Sequence, residues 1–377
     1  MITMNRKKIL FIVNVDWFFV SHRLPIALEA IKQGYEVHIA CGITDKRTLL
    51  ESHGIIIHPL ALSRSGVGLL NEFKTLKQLF IVIKTIRPDI THCVTIKPVL
   101  YGNIMARILR VPIRVSSISG LGYVFIASGI KAKLFRVFIS TLYKLALNGA
   151  KTVIFQNSAD RDVLKQLGAV KPNQEVFIRG SGVNLDLYPV IPEPKGKTVA
   201  MLVARLLIDK GVNEFAAAAK VLKQNNKDIR MVLVGDIDLA NPKSITSAQL
   251  NDWVDQNIVE HWGYSNDVAE TMAKANMIIL PSYREGLPKS LIEAAACGRA
   301  VITTDVPGCR DAIEVNKTGL LVPVKSVEPL VDAILKLASD DELRGKLAFQ
   351  SRETAEQAFD INDVIKKHLE IYEAGVI

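Results

Sequence analysis

With 377 residues, 49% of them apolar, the chain is too long for one ordinary domain and long enough for two with cores of their own. Its formal net charge of +9 is unevenly spread: residues 1–190 carry 25 Lys and Arg against 11 Asp and Glu, a net of +14, and the remainder 22 against 27, a net of −5. Arg6-Lys7-Lys8 leads into a strand-like run rather than a cleavable leader, no apolar run approaches the ~20 residues of a spanning helix, and the 4 cysteines and 7 histidines are scattered without redox or metal-ligand spacing, which points away from secreted, membrane-spanning and metal-stapled classes and towards a reducing, cytoplasmic compartment.

From Lys8 the sequence alternates strand-like and helix-like stretches. KILFIVNV is followed by a helix around LPIALEAIKQ, the strand EVHIACG, a helix around LLNEFKTLKQLFIVIKTI, DITHCV, a helix around LYGNIMARIL, and IRVSSI. Such alternation predicts a parallel sheet with helices on both faces. VIPEPKGKT, from Val190 to Thr198, reads as a linker, after which the pattern restarts with VAMLVA, NEFAAAAKVLKQ, IRMVLVGD, VAETMAKA, MIILPS and AVITT. The expected fold class is α/β, with an acceptor- or membrane-facing domain over 1–190 and a nucleotide-binding domain over 191–360. A last helix, within about 360–377, is expected to pack back on the first domain.

The stretch REGLPKSLIEAAACGRAVI, from Arg284 to Ile302, carries the most chemistry. It joins the strand MIILPSY to the strand AVITT through a small Ala-rich helix, so it is a βαβ unit. Ser290 and Glu293 have the spacing of a capping box, which gives Glu293 a purely structural reading. Glu285 has none, because it precedes Pro288 where the chain leaves a strand end. Ligands bind at strand ends of open α/β sheets, and the free N–H groups of the next helix favour phosphate. The pattern therefore reads as a nucleotide site with two added hydroxyl acceptors.

Two doubly wound domains with Glu285-Gly-Leu-Pro-Lys-Ser-Leu-Ile-Glu293 late in the second resemble the GT-B glycosyltransferases of the retaining family 4 type, whose E-x7-E motif this is. The resemblance covers essentially the whole chain and implies two Rossmann-like domains facing across a cleft. It implies that Glu285 approaches the donor sugar and Glu293 binds the ribose hydroxyls, with Gly286, Leu287, Pro288, Lys289 and Ser290 completing the donor loop. ARLLIDKG, from Ala204 to Gly211, matches the family's Arg-x4-Lys pattern, implying that Arg205 and Lys210 grip the donor diphosphate. A leaving diphosphate gains negative charge that such a pair stabilises. By the same resemblance Tyr264, in HWGYSNDV, is a candidate to stack on uracil, with core packing the equally ordinary role for an aromatic at a strand end. Asp236-x-Asp238 is read as a solvated loop rather than a metal site, and no cofactor or metal is expected.

In the first domain His22 and Arg23 follow strand one and are candidates for an acceptor phosphate. Lys97, in TIKPVLYGN, and Gly120 and Gly122, in SGLGYVF, lie at strand ends and resemble segments of the branch that builds bacterial surface polysaccharides on lipid carriers. Ser119 stands where many members carry a histidine. His92 reads as a core residue. On a helical wheel of IKAKLFRVFISTLYKLAL, Lys133, Arg136, Ser140 and Lys144 share one arc and Ile130, Leu134, Val137, Phe138 and Leu145 the opposite side. This basic amphipathic helix, with Phe135 and Phe138 flanked by cations, suits an anionic membrane surface as well as an ordinary solvated face.

The expectation is a retaining glycosyltransferase, peripheral on the inner face of the cell membrane. It would move a hexose or N-acetylhexosamine, N-acetylgalactosamine foremost, from a UDP-sugar to a polyprenyl-diphosphate-linked sugar in O-antigen or other surface-polysaccharide assembly. A GT-B epimerase or phosphorylase would share the fold and nucleotide site. Nucleic acid is not expected as a partner, because the cations are dispersed and no binding module appears.

Overall fold

The computed structural model describes residues 6–61, 69–121, 129–239 and 241–374, apart from the side chains of 69–70 and 130–134. The chain forms two compact units, Met1–Ser181 with Ile361–Ile377, and Gly182–Asp360.

The first unit is built on a seven-stranded, wholly parallel sheet. Its strands are β1 (Lys8–Val15), β2 (Glu36–Gly42), β3 (Ile56–Pro59), β4 (Ile90–Val94), β5 (Ile113–Ile118), β6 (Thr152–Phe155) and β7 (Glu175–Phe177), in the order β3-β2-β1-β4-β5-β6-β7. Strands β4, β5 and β6 are buried throughout, as expected when helices cover both faces of a parallel sheet. Two apolar clusters, one on each side of the sheet, centre on Phe11 and Ile39 and on Leu10 and Phe155.

The second unit has six parallel strands: β8 (Thr198–Val203), β9 (Ile229–Val234), β10 (Glu260–His261), β11 (Met277–Leu280), β12 (Ala300–Thr304) and β13 (Gly319–Val322), ordered β10-β9-β8-β11-β12-β13. Both sheets are doubly wound. The strand order reverses between β1 and β4 in the first and between β8 and β11 in the second, and such switch points open a crevice beyond the carboxyl ends of the strands.

The chain passes from one unit to the other at Ser181 and Gly182, nine residues before the linker-like VIPEPKGKT. That segment belongs to the second unit because its polar groups are tied down there. Arg344 and Asn276 donate to the Glu193 carboxylate at 2.7 and 2.9 Å, and Val183, Leu185 and Tyr188 join the core beneath β8 and β11. A Pro-rich composition marks a turn-rich chain, and partners decide whether it is a linker.

The helix Ile361–Ala374 returns to the first unit and inserts His368 and Tyr372 into its core. The Tyr372 hydroxyl and His92 Nδ1 are 2.7 Å apart, and His92 Nε2 is 2.7 Å from Ser117 Oγ. Burial, then the neighbouring Arg23, pushes the His368 imidazole down to about 3. Burial, His368 and Arg23 hold His92 well below its ordinary value. In the unfolded chain both titrate near 6.5. The stability they contribute is therefore complete above about pH 6.5 and is lost as pH falls towards 3, by up to about 1.4 kcal/mol per pH unit for each histidine. The urea midpoint of this unit should drop steeply between pH 6.5 and 5. His368→Asn should remove about half of that slope, and an unchanged slope would contradict the burial of a neutral imidazole.

Candidate functional site

The candidate site is assembled on the second unit, around the switch point. Beyond β8 the chain runs through Arg205 into a single 3-10 turn, Ile208–Lys210, and Gly211 starts the helix Val212–Gln224. Gly211 has φ +75, and a Cβ there would meet the Pro281 carbonyl oxygen at 2.1 Å, so only glycine lets the turn abut the loop after β11. That abutment brings Lys210 to Glu285, where Nζ and Oε1 are 2.5 Å apart. Ser282 Oγ donates to the same carboxylate oxygen at 2.6 Å, and the Tyr283 N–H donates to the Asp209 carbonyl at 2.9 Å. Gly308, in the loop after β12, closes the other side. It has φ +82, and a Cβ there would strike the Glu285 carbonyl at 2.5 Å.

Arg205 Nη1 donates to Asp238 Oδ2 at 2.8 Å, in the loop after β9. Asp236 is exposed, as the expected solvated loop requires, but the Asp238 side chain is only 12% exposed, and for that residue the expectation is corrected. Burial in the strand-end layer favours pairing the carboxylate with a cation over leaving it in water. Lys243 similarly donates to both carboxylate oxygens of Asp209, at 3.0 and 2.9 Å. Tyr264, after β10, is exposed, with its ring available to solvent rather than in the core.

The helix Lys289–Ala296 begins after Pro288, which occupies the N-cap position without a side-chain cap bond. Ser290 therefore lies inside the first turn, and the expected Ser290–Glu293 capping box does not form. Proline at the cap sets the start two residues earlier than the Ser-x-x-Glu spacing implies. Glu293 is instead buried, with Oε1 accepting from the Tyr188 hydroxyl at 2.8 Å and Lys289 Nζ at 3.3 Å from the same oxygen. Burial and the adjacent carboxylate push the Tyr188 phenol far above its usual range. Gly286 and Leu287 span the loop between the two glutamates, with Leu287 anchored in the core.

Three contacts here escaped sequence reasoning. Ser282 could have been found, since it precedes Glu285 by three residues in the same strand-end loop. Tyr188 and Asp238 could not, because they lie 105 and 33 positions from the residues they hold.

The first unit brings its candidates together less. Seven residues read as a connection, Asp16–His22, form a short helix, and His22 ends it, stacked on Phe18 at 4.1 Å between ring centroids. Arg23, expected near the surface, is buried in the core, and this is a correction. The extra helix carries the chain past the strand end and turns Arg23 inward, where Nη1 donates to the His22 carbonyl at 2.8 Å and burial lowers its guanidinium to about 10. Lys97 is paired with Glu72 at 2.7 Å. Gly120 follows β5 with φ +105. Gly122 and the Lys133 side chain lie outside the described residues.

The helix Ile130–Leu147 faces the opposite way from an ordinary solvated basic face. Ser140, Tyr143 and Leu147 are buried and Arg136 is half-buried, whereas Val137, Phe138 and Leu145 point outward with Lys144. Tyr143, Ala146 and Leu147 belong to the buried core on this side of the sheet, and Arg136 is partly covered.

Two Rossmann-like units, with a cation and carboxylate site at the switch point of the second, define the architecture of GT-B glycosyltransferases. Residues 187–354 match the family model for glycosyl transferases group 1, and residues 8–157 that for glycosyl transferase 4-like domains. The chain is 30% identical over 379 residues, 94% of its length and 97% of the relative's, to the N,N'-diacetylbacillosaminyl-diphospho-undecaprenol alpha-1,3-N-acetylgalactosaminyltransferase of Campylobacter jejuni. It is 24% identical over 323 residues, 81% of each chain, to the UDP-Gal:alpha-D-GlcNAc-diphosphoundecaprenol alpha-1,3-galactosyltransferase of Escherichia coli. Among solved structures, Anabaena HepE in complex with UDP shares the fold with a TM-score of 0.76 at 18% identity, over 98% of this chain and 100% of that one. The chain belongs to the group 1, family 4-like GT-B glycosyltransferases, and it is a glycosyltransferase.

The Tyr188 bond has a measurable cost. Removing a hydrogen bond to a buried charged group costs about 1–3 kcal/mol. Tyr188→Phe should lower the unfolding free energy of the second unit by that amount in urea titration, and an unchanged midpoint would show that the phenol does not support Glu293.

Proposed function

We propose that this enzyme transfers a sugar from a UDP-sugar, with retention of anomeric configuration, onto a polyprenyl-diphosphate-linked sugar during surface-polysaccharide assembly at the inner face of the cell membrane. The Campylobacter relative's name, over nearly the full length of both chains, supports the lipid-diphosphate acceptor and makes N-acetylgalactosamine the first donor sugar to try. The observation that carries the reading is the Lys210–Glu285 pair beyond β8 and β11, with Arg205 of the same post-β8 loop held by Asp238.

In the proposed reaction the bond between the anomeric carbon and the UDP oxygen breaks, and a bond to the acceptor hydroxyl oxygen forms on the same face. The acceptor proton passes to the departing diphosphate oxygen, so no protein nucleophile is needed. Lys210 has three N–H donors and spends one on Glu285, which leaves donors for the diphosphate as its charge grows. Arg205, steadied by Asp238, adds a second cation. Glu285 accepts hydrogen bonds from the donor sugar, and Glu293, fixed by Tyr188 and Lys289, accepts from the ribose diol. The main-chain turn of Gly286 to Ser290 lines the donor, and Tyr264 offers its exposed ring to uracil. His22, Lys97, Gly120 and Gly122 remain the acceptor-side candidates of this reading. Arg23 acts at most from below, through the His22 carbonyl.

Glu285→Gln should lower turnover about 10²-fold or more at saturating UDP-N-acetylgalactosamine and short-chain acceptor, with folding unchanged, because the charge matters chiefly in the transition state. Near-normal turnover would remove Glu285 from the chemistry. Metal independence is part of the proposal, supported by the engagement of Asp238 with Arg205. Activity should survive EDTA, and loss restored by manganese or magnesium would overturn this point.

A further inference from the structure

No acidic residue occurs between Asp89 and Asp160, a span that holds nine Lys and Arg. Two of its helices join the helix that precedes it in one layer of the first unit. The helix Leu69–Ile86 packs beside Asn103–Ile108, and that helix packs beside Ile130–Leu147. All three bury their inner faces in one cluster, through Leu79, Ile83, Ala106 and Tyr143. The Arg107 guanidinium donates to the Leu145 carbonyl at 3.2 Å, which ties the second helix to the third.

The outer face of this layer mixes apolar side chains with cations. Phe73 is 71% exposed, Ile81 51%, Ile108 58%, Val137 62%, Phe138 57% and Leu145 50%. Single exposed apolar residues are ordinary, but six large ones on adjoining helices make a patch of the kind that marks an interaction site. Lys74, Lys77, Lys84, Arg107 and Lys144 are exposed on the same three helices, whose described acidic residue, Glu72, is taken up by Lys97.

We infer that this face is a lipid-docking surface that seats the enzyme on an anionic bilayer, with the apolar side chains entering the headgroup boundary and the lysines and Arg107 contacting lipid phosphates. The charge decides between occupants. A second copy of the chain would bring an equally cationic face against this one and pay for like-charge contact, whereas an anionic bilayer neutralises the cations while covering the apolar groups. Each cation near such a surface adds attraction that salt weakens, and the apolar contribution does not depend on salt in that way. Docking therefore has two separable parts. The inference deepens the acceptor reading by giving a lipid-linked substrate its surface, and it rests on that reading for the relevance of lipid, not for the face itself.

The test uses the full chain and two variants, Val137→Ser/Phe138→Ser/Leu145→Ser and Lys74→Ser/Lys77→Ser/Lys84→Ser, with thermal melting as the control for folding. Co-sedimentation is measured with vesicles of phosphatidylcholine alone and with added phosphatidylglycerol. The parent should prefer the anionic vesicles and should retain part of its binding in high salt. The apolar variant should bind at least about tenfold more weakly at every salt concentration, while the lysine variant should lose about a hundredfold at low salt and little at high salt. Absence of a preference for anionic vesicles, or equal binding by the parent and the apolar variant, would overturn the proposal. So would a parent dimer in sedimentation equilibrium that the apolar variant dissociates, which would assign the face to self-association. Turnover on a soluble short-chain acceptor is measured in parallel and should be unchanged in both variants. If vesicle binding follows the variants but no protein turns over any lipid-diphosphate sugar, the docking face stands and the acceptor reading falls.

Discussion

The candidate site depends on one backbone contact, Gly211 against Pro281. Two strands adjacent in the sheet end in loops 70 residues apart in sequence, and a side chain at position 211 would hold those loops apart. With glycine there, the Tyr283 N–H reaches the Asp209 carbonyl and the Lys210 amine reaches the Glu285 carboxylate. The ion pair is a consequence of this fit rather than its cause, since an ion pair with partial solvent access contributes little by itself. Gly308 repeats the device on the far side of Glu285, so the glutamate is fixed through its backbone from two directions. A carboxylate positioned in this way does not have to be ordered when a ligand arrives, which is where preorganisation gains most.

The switch-point geometry explains why sequence alone was so informative about this half of the chain. A doubly wound sheet forces the ends of β8 and β11 together, so motifs that follow them, Arg205 to Lys210 and Glu285 to Glu293, must meet once the strands are recognised. What the pattern could not carry was the company these residues keep. Asp238 reads as loop from its neighbours, yet its position beside β8 gives it to Arg205. Tyr188 lies before the apparent linker, where nothing in composition marks it as support for a glutamate in a later helix. The capping-box reading failed because the Pro288 conformation, not the Ser-x-x-Glu spacing, sets the helix start.

The first unit was less legible, for a related reason. Strands β1, β2, β4 and β5 and the long helices were clear from periodicity, but the short strands β3, β6 and β7 and the two-turn helix Asp16–His22 are too short to show a period, and missing that helix inverted the environment of Arg23. The helix Ile130–Leu147 shows a different limit. A helical wheel finds two faces and does not say which is inside. The usual assignment, apolar inward, fails here because Ser140, Tyr143 and Ala146 are the residues buried against the first unit while Val137, Phe138 and Leu145 are exposed.

Every carboxylate placed at the candidate site already has a cation beside it: Glu285 with Lys210, Asp238 with Arg205, Asp209 with Lys243 and Glu293 with Lys289. In the proposed reading, a diphosphate arriving there meets paired charges rather than bare cations. Its binding is then an exchange of partners, weaker than naked Arg and Lys would give, because part of the attraction is spent in the free enzyme. The same pairing favours the proposed transition state over the ground state. As the glycosidic bond breaks, charge grows on the leaving diphosphate while the glutamate charges stay constant, so the cations shift their attraction towards the phosphate at the moment it matters. A mildly acidic unit can thus hold a strongly anionic ligand without a large excess of positive charge, and the surplus cations of the chain are left to the other unit, where the inferred bilayer requires them.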